Sequence, residues 1–388
     1  MPYDYLSCGP NNTYTTYSTN SFNYVIPQDF TSADISMTSA GGGGGGGAHA
    51  YHNGTFRDRH ARAGGGGGGA GARISLNISN DKFALFNIIG NQVTPLYFSM
   101  RGATLTAVQL GKKGTGGTGG YDEDSGTASV YGTSGSSGGD VYFSFMNNGV
   151  TLTFRLYGGN GGSRAYARAT SSSDTETPGG DSGFYTLMRI DYNNGSNTYY
   201  NYIYPANSSS EHMRVGLGDD DYANDVTIYN TDRTQIYGGV EFTGDHTVKL
   251  YSQIDRFTGS ITLSWNPQYN MKGSAGDGST GGAGGTYTYS GVSFGGGKGG
   301  NGVNGESDGT NGNGYSSISM NMNRDSPYLQ VRIPTSSTTE GWAYSDKLQV
   351  RTTATSYAPV KNMYHYDGTR WVRSNGPTVA MIWEYPFN

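Results

Sequence analysis

Residues 41–69 read GGGGGGGAHAYHNGTFRDRHARAGGGGGG. Two glycine homopolymers, 41–47 and 64–69, bracket sixteen residues, 48–63, that hold three of the six histidines and three arginines. A glycine run carries one of two opposite meanings. A Gly/Ser linker is a flexible coil. Glycine packed against other segments is a structural choice, because only glycine lets backbones approach that closely.

The later glycines separate the two meanings. Gly111, Gly114, Gly117 and Gly120 recur every three residues, as do Gly132, Gly135 and Gly138. The pattern returns at Gly278, Gly281 and Gly284, and at Gly296, Gly299, Gly302 and Gly305. Three residues per turn is the period of a polyproline-II-type helix, which has no internal hydrogen bonds. Its N–H and C=O groups must bond outward, and a bundle of polyglycine-II helices lets them bond to each other. Collagen shares the period, but these runs are short, broken and almost without proline. The expectation is that 111–138 and 276–305 form extended helices packed side by side. A flexible linker is the competing reading.

The rest of the composition agrees with a backbone-rich interior. Charged residues make up 14% of the 388, against about 25% in ordinary domains. Tyrosine is the abundant large residue, with 32 copies, so apolar cores are thin and β-sheet is favoured over helical bundles. A net charge of −5 gives no clustered basic face for nucleic acid. The single cysteine, Cys8, cannot form an intrachain disulfide. The opening residues lack the charged and apolar regions of a signal peptide. No apolar run approaches the length of a membrane helix, so no membrane insertion is expected. These features fit a chain made in a cytoplasm and carried on a virion.

The chain reads as all-β, with β-sandwich-like modules and polyglycine-II layers. Residues 1–22 read as a polar arm, 23–183 as one glycine-rich β module, 184–326 as a second, and 327–388 as a C-terminal β tail. Residues 73–79 alternate, with Ile74, Leu76 and Ile78 on one face, the mark of a half-buried strand. Residues 141–145 and 150–156 read as strands around an Asn147-Asn148-Gly149 turn. Ser317 to Met322 repeats the alternation after the second glycine field, as 73–79 does after the first. In the tail, Asp367-Gly368 marks a hairpin between 363–366 and 370–373. No capped helix with a 3.6 period is present.

The segment FNYVIPQDFTSADISMTSAGGGGGGGA, residues 22–48, resembles the opening of the glycine-rich domain of bacteriophage tail proteins. There, a strand ending in a Val-Pro-like step leads to a second strand and a polyglycine run, followed by another run and period-three glycines. The order here is Val25-Ile26-Pro27, Ile35 to Met37, 41–47, 64–69, then Gly111 onward. The resemblance covers roughly residues 22–162, with a weaker echo at 184–320. The alternation of glycine runs and loops also resembles the tip adhesins of T-even tail fibres. The C-terminal KNMYHYDGTRWVR resembles a hairpin near the ends of phage tail proteins. The resemblance implies a non-enzymatic structural component of a tailed-phage virion, a tail fibre or tail-tip protein with a host-receptor role. It also implies contacts with other virion proteins and a homo-oligomer, a trimer. A capsid decoration or head-fibre protein without receptor function is the alternative.

Motifs for chemistry are weak. Residues 114–119 match G-x-G-x-x-G without the strand–helix context of a dinucleotide fold. Residues 135–139 match G-x-S-x-G without a strand–turn–helix. His49 and His52, with His60 nearby, could share a metal only if something fixed them, and a solvated loop is favoured. Asp122-Glu123-Asp124 and Asp219-Asp220-Asp221 lack calcium-loop spacing. Tyr199, Tyr200, Tyr202 and Tyr204 form either core or a sugar-stacking surface, with core favoured. No catalytic residues, metal site or cofactor are expected. The binding candidates lie in 48–63, read as a loop held out between two packed glycine runs: Tyr51, His52, Phe56, Arg57, Arg59 and His60. With Asp58 the only acid there, that loop is expected to be locally positive. A host-surface glycan or lipopolysaccharide phosphate would suit it, since arginine binds such anions bidentately. A contact with a neighbouring virion protein is the other reading of the loop.

Overall fold

The computed structural model describes residues 3–8, 24–55, 57–89, 92–176, 187–204, 213–218, 226–229, 239–244, 246–251, 259–265, 271–277, 279–302 and 307–324, with four short strands beyond residue 348. The chain divides into two compact units, Tyr3–Arg324 and a second made of Met1–Pro2 with Asp325–Asn388. In the second, Gln349–Arg351 pairs with Tyr357–Pro359, and Tyr364–Tyr366 with Trp371–Arg373. The second pairing is the hairpin expected around Asp367-Gly368. No α-helix occurs among the described residues.

In the larger unit the glycine segments form the expected bundle. The chain passes through it nine times in the described residues: 40–47, 64–71, 111–120, 132–139, 158–165, 271–277, 280–285, 294–302 and 307–314. The first pass is fully surrounded. The N–H groups of Gly41, Gly44 and Gly47 donate to Asn313, Thr310 and Ser307; those of Gly42 and Gly45 to Gly69 and Gly66; those of Gly43 and Gly46 to Ser136 and Thr133, all at 2.8–3.2 Å. Every third donor thus reaches the same neighbour, as threefold helices require. The carbonyls accept with the same period from Gly114, Gly117 and Gly120, from Gly297 and Gly300, and from Gly159, Gly162 and Ala165. The six neighbours also bond to one another in a closed ring. Donors go to antiparallel neighbours and acceptors receive from parallel ones. The second pass, 64–71, has five bonded neighbours among the described segments.

This arrangement explains the homopolymers. A Cβ on Gly41, Gly44 or Gly47 would overlap backbone of 294–301; on Gly42 or Gly45, backbone of 159–163; on Gly43 or Gly46, that of Thr115 or Thr118. No edge of the inner helix is free, so no position tolerates a side chain. On the rim only one edge faces inward. Gly114 and Gly117 are buried while Thr115 and Thr118 are exposed, which is the period of three seen in the sequence.

Rim backbone without an inward partner bonds to short side chains on the next helix. Asn311 Oδ1 accepts from Gly116 N–H at 2.9 Å and Asp308 Oδ1 from Gly119 N–H at 2.8 Å. Ser136 and Thr133 hydroxyls accept from Thr115 and Thr118 N–H at 2.7 and 2.6 Å. Asn301 Oδ1 serves Gly281 N–H at 2.8 Å.

At one end the helices run into a sandwich. A seven-stranded sheet takes the order Tyr3–Cys8, Ser317–Arg324, Phe30–Thr38, Arg73–Ser79, Ser260–Trp265, Thr247–Tyr251, Val240–Gly244. An eight-stranded sheet takes the order Val226–Tyr229, Arg214–Gly218, Thr198–Tyr204, Met188–Asn193, Val150–Leu156, Val141–Asn147, Thr104–Gln109, Tyr24–Val25. One core joins them, with Ile35, Leu76 and Ile261 from the first and Phe143, Phe154 and Ile190 from the second. Phe143 stacks on Phe154 at 4.9 Å. The expected strands at 73–79 and 150–156 are present with those bounds. The turn before Val150 is the two-residue Asn148-Gly149, with φ of 50° and 79°, a type I′ hairpin.

Residues 111–138 and 276–305 lie in helices packed side by side, as expected: the first range is two passes joined through Gly120–Asp124 and Thr127–Tyr131, and the second comprises parts of three passes. Two expectations are revised. The boundary at 183/184 does not separate two packed modules. Passes from both glycine fields bond to the same inner helices, and Arg73–Ser79 pairs with Ser260–Trp265. Tyr3–Cys8, read as part of an arm, pairs with Ser317–Arg324 at the sheet edge.

Gly44→Ala is expected to abolish the bundle, a loss beyond about 4 kcal/mol because rigid backbone on every side cannot yield. Gly117→Val should also be severe, since its Cβ would meet the Thr133 carbonyl. Thr118→Val, on an exposed edge, should cost about 1 kcal/mol, for its lost hydroxyl contact. Thermal unfolding reads the difference, and a Gly44→Ala protein melting like wild type would exclude this packing.

Candidate functional site

At the end of the bundle away from the sandwich, five passes continue as strands. Ala48–His52 and Arg59–Ala63 form an antiparallel hairpin, and Gly120–Asp124 runs parallel to Ala48–His52. Thr127–Tyr131 and Tyr166–Thr170 pair in a second small sheet with Asp174–Glu176. Alanine makes this possible. Ala48, Ala50, Ala61, Ala63, Ala128, Ala165, Ala167 and Ala169 form a buried cluster between the two sheets. Chains leaving a bundle of bare backbones have little room to diverge, and a methyl group is the next size up. Ser129 N–H donates to Asp122 Oδ2 at 2.7 Å, a further link between the sheets.

Alternation then turns the intervening side chains outward. The outer face of the first sheet carries two cross-strand rows, Tyr121–His49–Arg62 and Glu123–Tyr51–His60. His60 stacks on Tyr51 with centroids 4.6 Å apart. His49 Nε2 and His60 Nδ1 share a 3.1 Å hydrogen bond, and Tyr121 meets His49 edge-on at 5.4 Å. Tyr121 Oη donates to Glu123 Oε2 at 3.2 Å, and Asn53 Nδ2 donates to Glu123 Oε1 at 3.3 Å. Burial lowers the His49 pKa from its usual 6.5, with Arg62 and His60 acting in the same direction. The Tyr51 hydroxyl is pushed up by partial burial and then by its hydrogen bond to Asp58 and the charge of Glu123.

The six candidate residues separate. Tyr51 and His60 belong to the outer face, and Arg57 is exposed in the turn. His52 points the other way. It is 3% exposed, in register with Arg59 and Asp124 on the alanine side. Arg59 shares that side and is half-buried. Phe56 lies outside the described residues. Residues 48–63 are therefore a hairpin rather than a loop, because Ala at every second position lets its flanks pack. Arg62, Tyr121 and Glu123 were not anticipated. Alternation in AHAYH and RHARA marks His49 and Arg62, but Tyr121 and Glu123 arrive only through the parallel pairing of a distant strand.

That strand also overturns the expected positive charge. Asp122, Glu123 and Asp124 join Asp58 beside Arg57, Arg59 and Arg62, so carboxylates outnumber guanidinium groups. On the outer face of the second sheet, across the alanine layer, Tyr131 is 54% exposed, with Tyr166 at 4.5 Å and the Arg164 guanidinium 4.5 Å from its ring. The end surface is aromatic and polar rather than cationic.

The other motifs are structural. Residues 114–119 cannot cradle a phosphate, because the N–H groups of Gly114, Gly116, Gly117 and Gly119 are all bonded within the bundle. No group of three metal-ligating side chains occurs among the described residues. Tyr199 is in the core, as favoured. Tyr202 lies on the opposite face, 5% exposed, where its hydroxyl accepts from Arg189 Nη1 at 3.1 Å. Residues 219–221 lie outside the described residues. Neither a protein-family model nor a curated protein matches the chain.

The His49 shift fixes a sign. A histidine held below its unfolded pKa stabilises the fold above about 6.5, and that contribution is lost as pH falls through the folded pKa. Hydrogen exchange in 48–63 is expected to quicken between about pH 7 and pH 5, and His49→Gln should flatten that response. Exchange in the wild type that ignores pH after correction for intrinsic rates would refute it.

Proposed function

We propose that the chain is a structural component of a tailed-bacteriophage virion, a tail fibre or tail-tip protein that binds the host surface through the end of its glycine bundle. The supporting observation is the outer face of Ala48–His52, Arg59–Ala63 and Gly120–Asp124. Its strands are continuous with bundle helices hydrogen-bonded to their neighbours along their length, and its outward groups are tyrosine, imidazole, guanidinium and carboxylate. Binding residues concentrate on segments positioned by a rigid scaffold. The carboxylates there disfavour a phosphate ligand. Stacked rings with mixed donors and acceptors suit the surface of a host saccharide. The role is binding rather than catalysis, and its place is on the virion.

Tyr51→Ala with His60→Ala should leave the fold intact, since neither side chain enters the alanine cluster. Host adsorption of particles carrying the double variant should fall about tenfold or more, the scale of losing a binding hot spot. Unchanged adsorption would reject this face as the receptor site. Failure to incorporate into particles would make it a contact with a neighbouring virion protein. By the resemblance to phage fibres, the chain is also proposed to act as a homotrimer. Sedimentation should then give three times the chain mass, and a stable folded monomer at micromolar concentration would reject that.

A further inference from the structure

The opposite end of the unit carries a second constellation. At the end of the seven-stranded sheet, where it meets the bundle, Arg73, Ser75, Ser264 and Thr247 of its outer row line a cavity of about 300 Å³ with His246, Tyr289 and two residues of the core margin, Trp265 and Tyr287. Arg73, Ser75 and Ser264 also border an adjoining trough of about 410 Å³. The trough is lined by hydroxyl and amide groups, among them Ser36, Asn77, Thr262, Ser319 and Asn321. Ser319, Ser36, Ser75, Ser264 and Thr247 lie in one cross-strand row. A row of hydroxyls thus leads to a cluster of rings and one guanidinium.

The chemistry at the aromatic end is one-sided. The Arg73 guanidinium lies 4.1 Å from the Tyr289 ring centroid, and its Nε donates to Ser36 Oγ at 3.1 Å. Tyr287 is anchored by its hydroxyl, which donates to the Arg73 carbonyl at 3.2 Å. Among the described residues no carboxylate lines the first cavity. In the adjoining trough Asp34 is engaged, accepting from Asn77 Nδ2 at 2.6 Å and Asn323 Nδ2 at 3.1 Å. Two lining residues also carry buried polar atoms without a protein partner, Trp265 Nε1 and His246 Nδ1, and Trp265 is 1% exposed. Buried polar atoms normally have a partner, protein or otherwise.

We propose that this trough binds an acidic saccharide, its carboxylate on Arg73, a pyranose ring against Tyr289 and its hydroxyls over the serine row. The fork of a guanidinium matches a carboxylate bidentately, and a ring already stacked on that guanidinium gives a sugar a flat neighbour. The site is independent of the bundle-end face, and either stands if the other fails.

The test titrates the full chain with digalacturonate, and with neutral digalactose, following tryptophan fluorescence. Digalacturonate should give a saturable change that Trp265→Phe removes. Arg73→Gln should weaken it about tenfold or more, the scale of a charged hydrogen-bond pair, and digalactose should bind more weakly. Tyr289→Ala removes only the ring beside the guanidinium and should also weaken binding, with circular dichroism unchanged. It serves as the deciding variant if Arg73→Gln fails to fold. No saturable response in the wild type, or unchanged affinity in the folded variants, overturns the site. Digalactose binding as tightly as digalacturonate overturns the acidic class.

Discussion

Everything in the larger unit depends on satisfying buried backbone in a bundle that has almost no side chains. An inner helix of glycine offers no apolar surface of consequence, so its burial is tolerable only if each N–H and C=O finds a partner. A buried donor left alone costs about 1–3 kcal/mol, whereas a made bond gains only about 1. Satisfying one of these helices on all sides takes six neighbours, which is why the chain must traverse the bundle so many times. It also explains why distant parts of the sequence, such as 132–139 and 307–314, end up on the same glycine run.

The rim is where such a lattice has to stop. An outer helix still projects donors away from its inward neighbours. Here those donors meet Thr133, Ser136, Asn301, Asp308 and Asn311, whose side chains reach one helix over. Short polar residues among the glycines are therefore the termination of the hydrogen-bond network. A longer side chain would pass beyond the neighbouring backbone, and an aliphatic one would leave the donor to water.

Much of this was legible in the sequence, and the reason is geometric. Period three over 111–120 reports one packed edge, and an unbroken run over 41–47 reports that all edges are packed. The sandwich strands were legible where one face is apolar, as in 73–79 and 150–156. Connectivity was not. Period three says that a helix has neighbours but not which ones, so two glycine fields looked like two modules. The hairpin at 48–63 was hidden for a different reason. Its buried face is alanine, which carries little hydrophobic signal, and its histidines and arginines drew the eye to a loop. The neighbouring acidic strand could not be inferred at all, because a parallel pairing between positions as distant as His49 and Tyr121 leaves no local mark.

Side-chain size rises in steps where the two glycine runs leave the bundle, at Ala48–His52 and Arg59–Ala63, from glycine to alanine to tyrosine, histidine and arginine. The order follows from distance between backbones. Polyglycine helices touch main chain to main chain, and sheets packed through large side chains sit about 10 Å apart. The alanine layer bridges the two regimes, holding the small sheets close enough to remain continuous with the helices. Outward positions beyond that layer touch neither the lattice nor the alanine cluster. They are the first positions along the chain where side-chain chemistry can change without disturbing a backbone hydrogen bond. The most constrained glycines in the molecule thus lie a few residues from its least constrained surface, with alanine alone separating them.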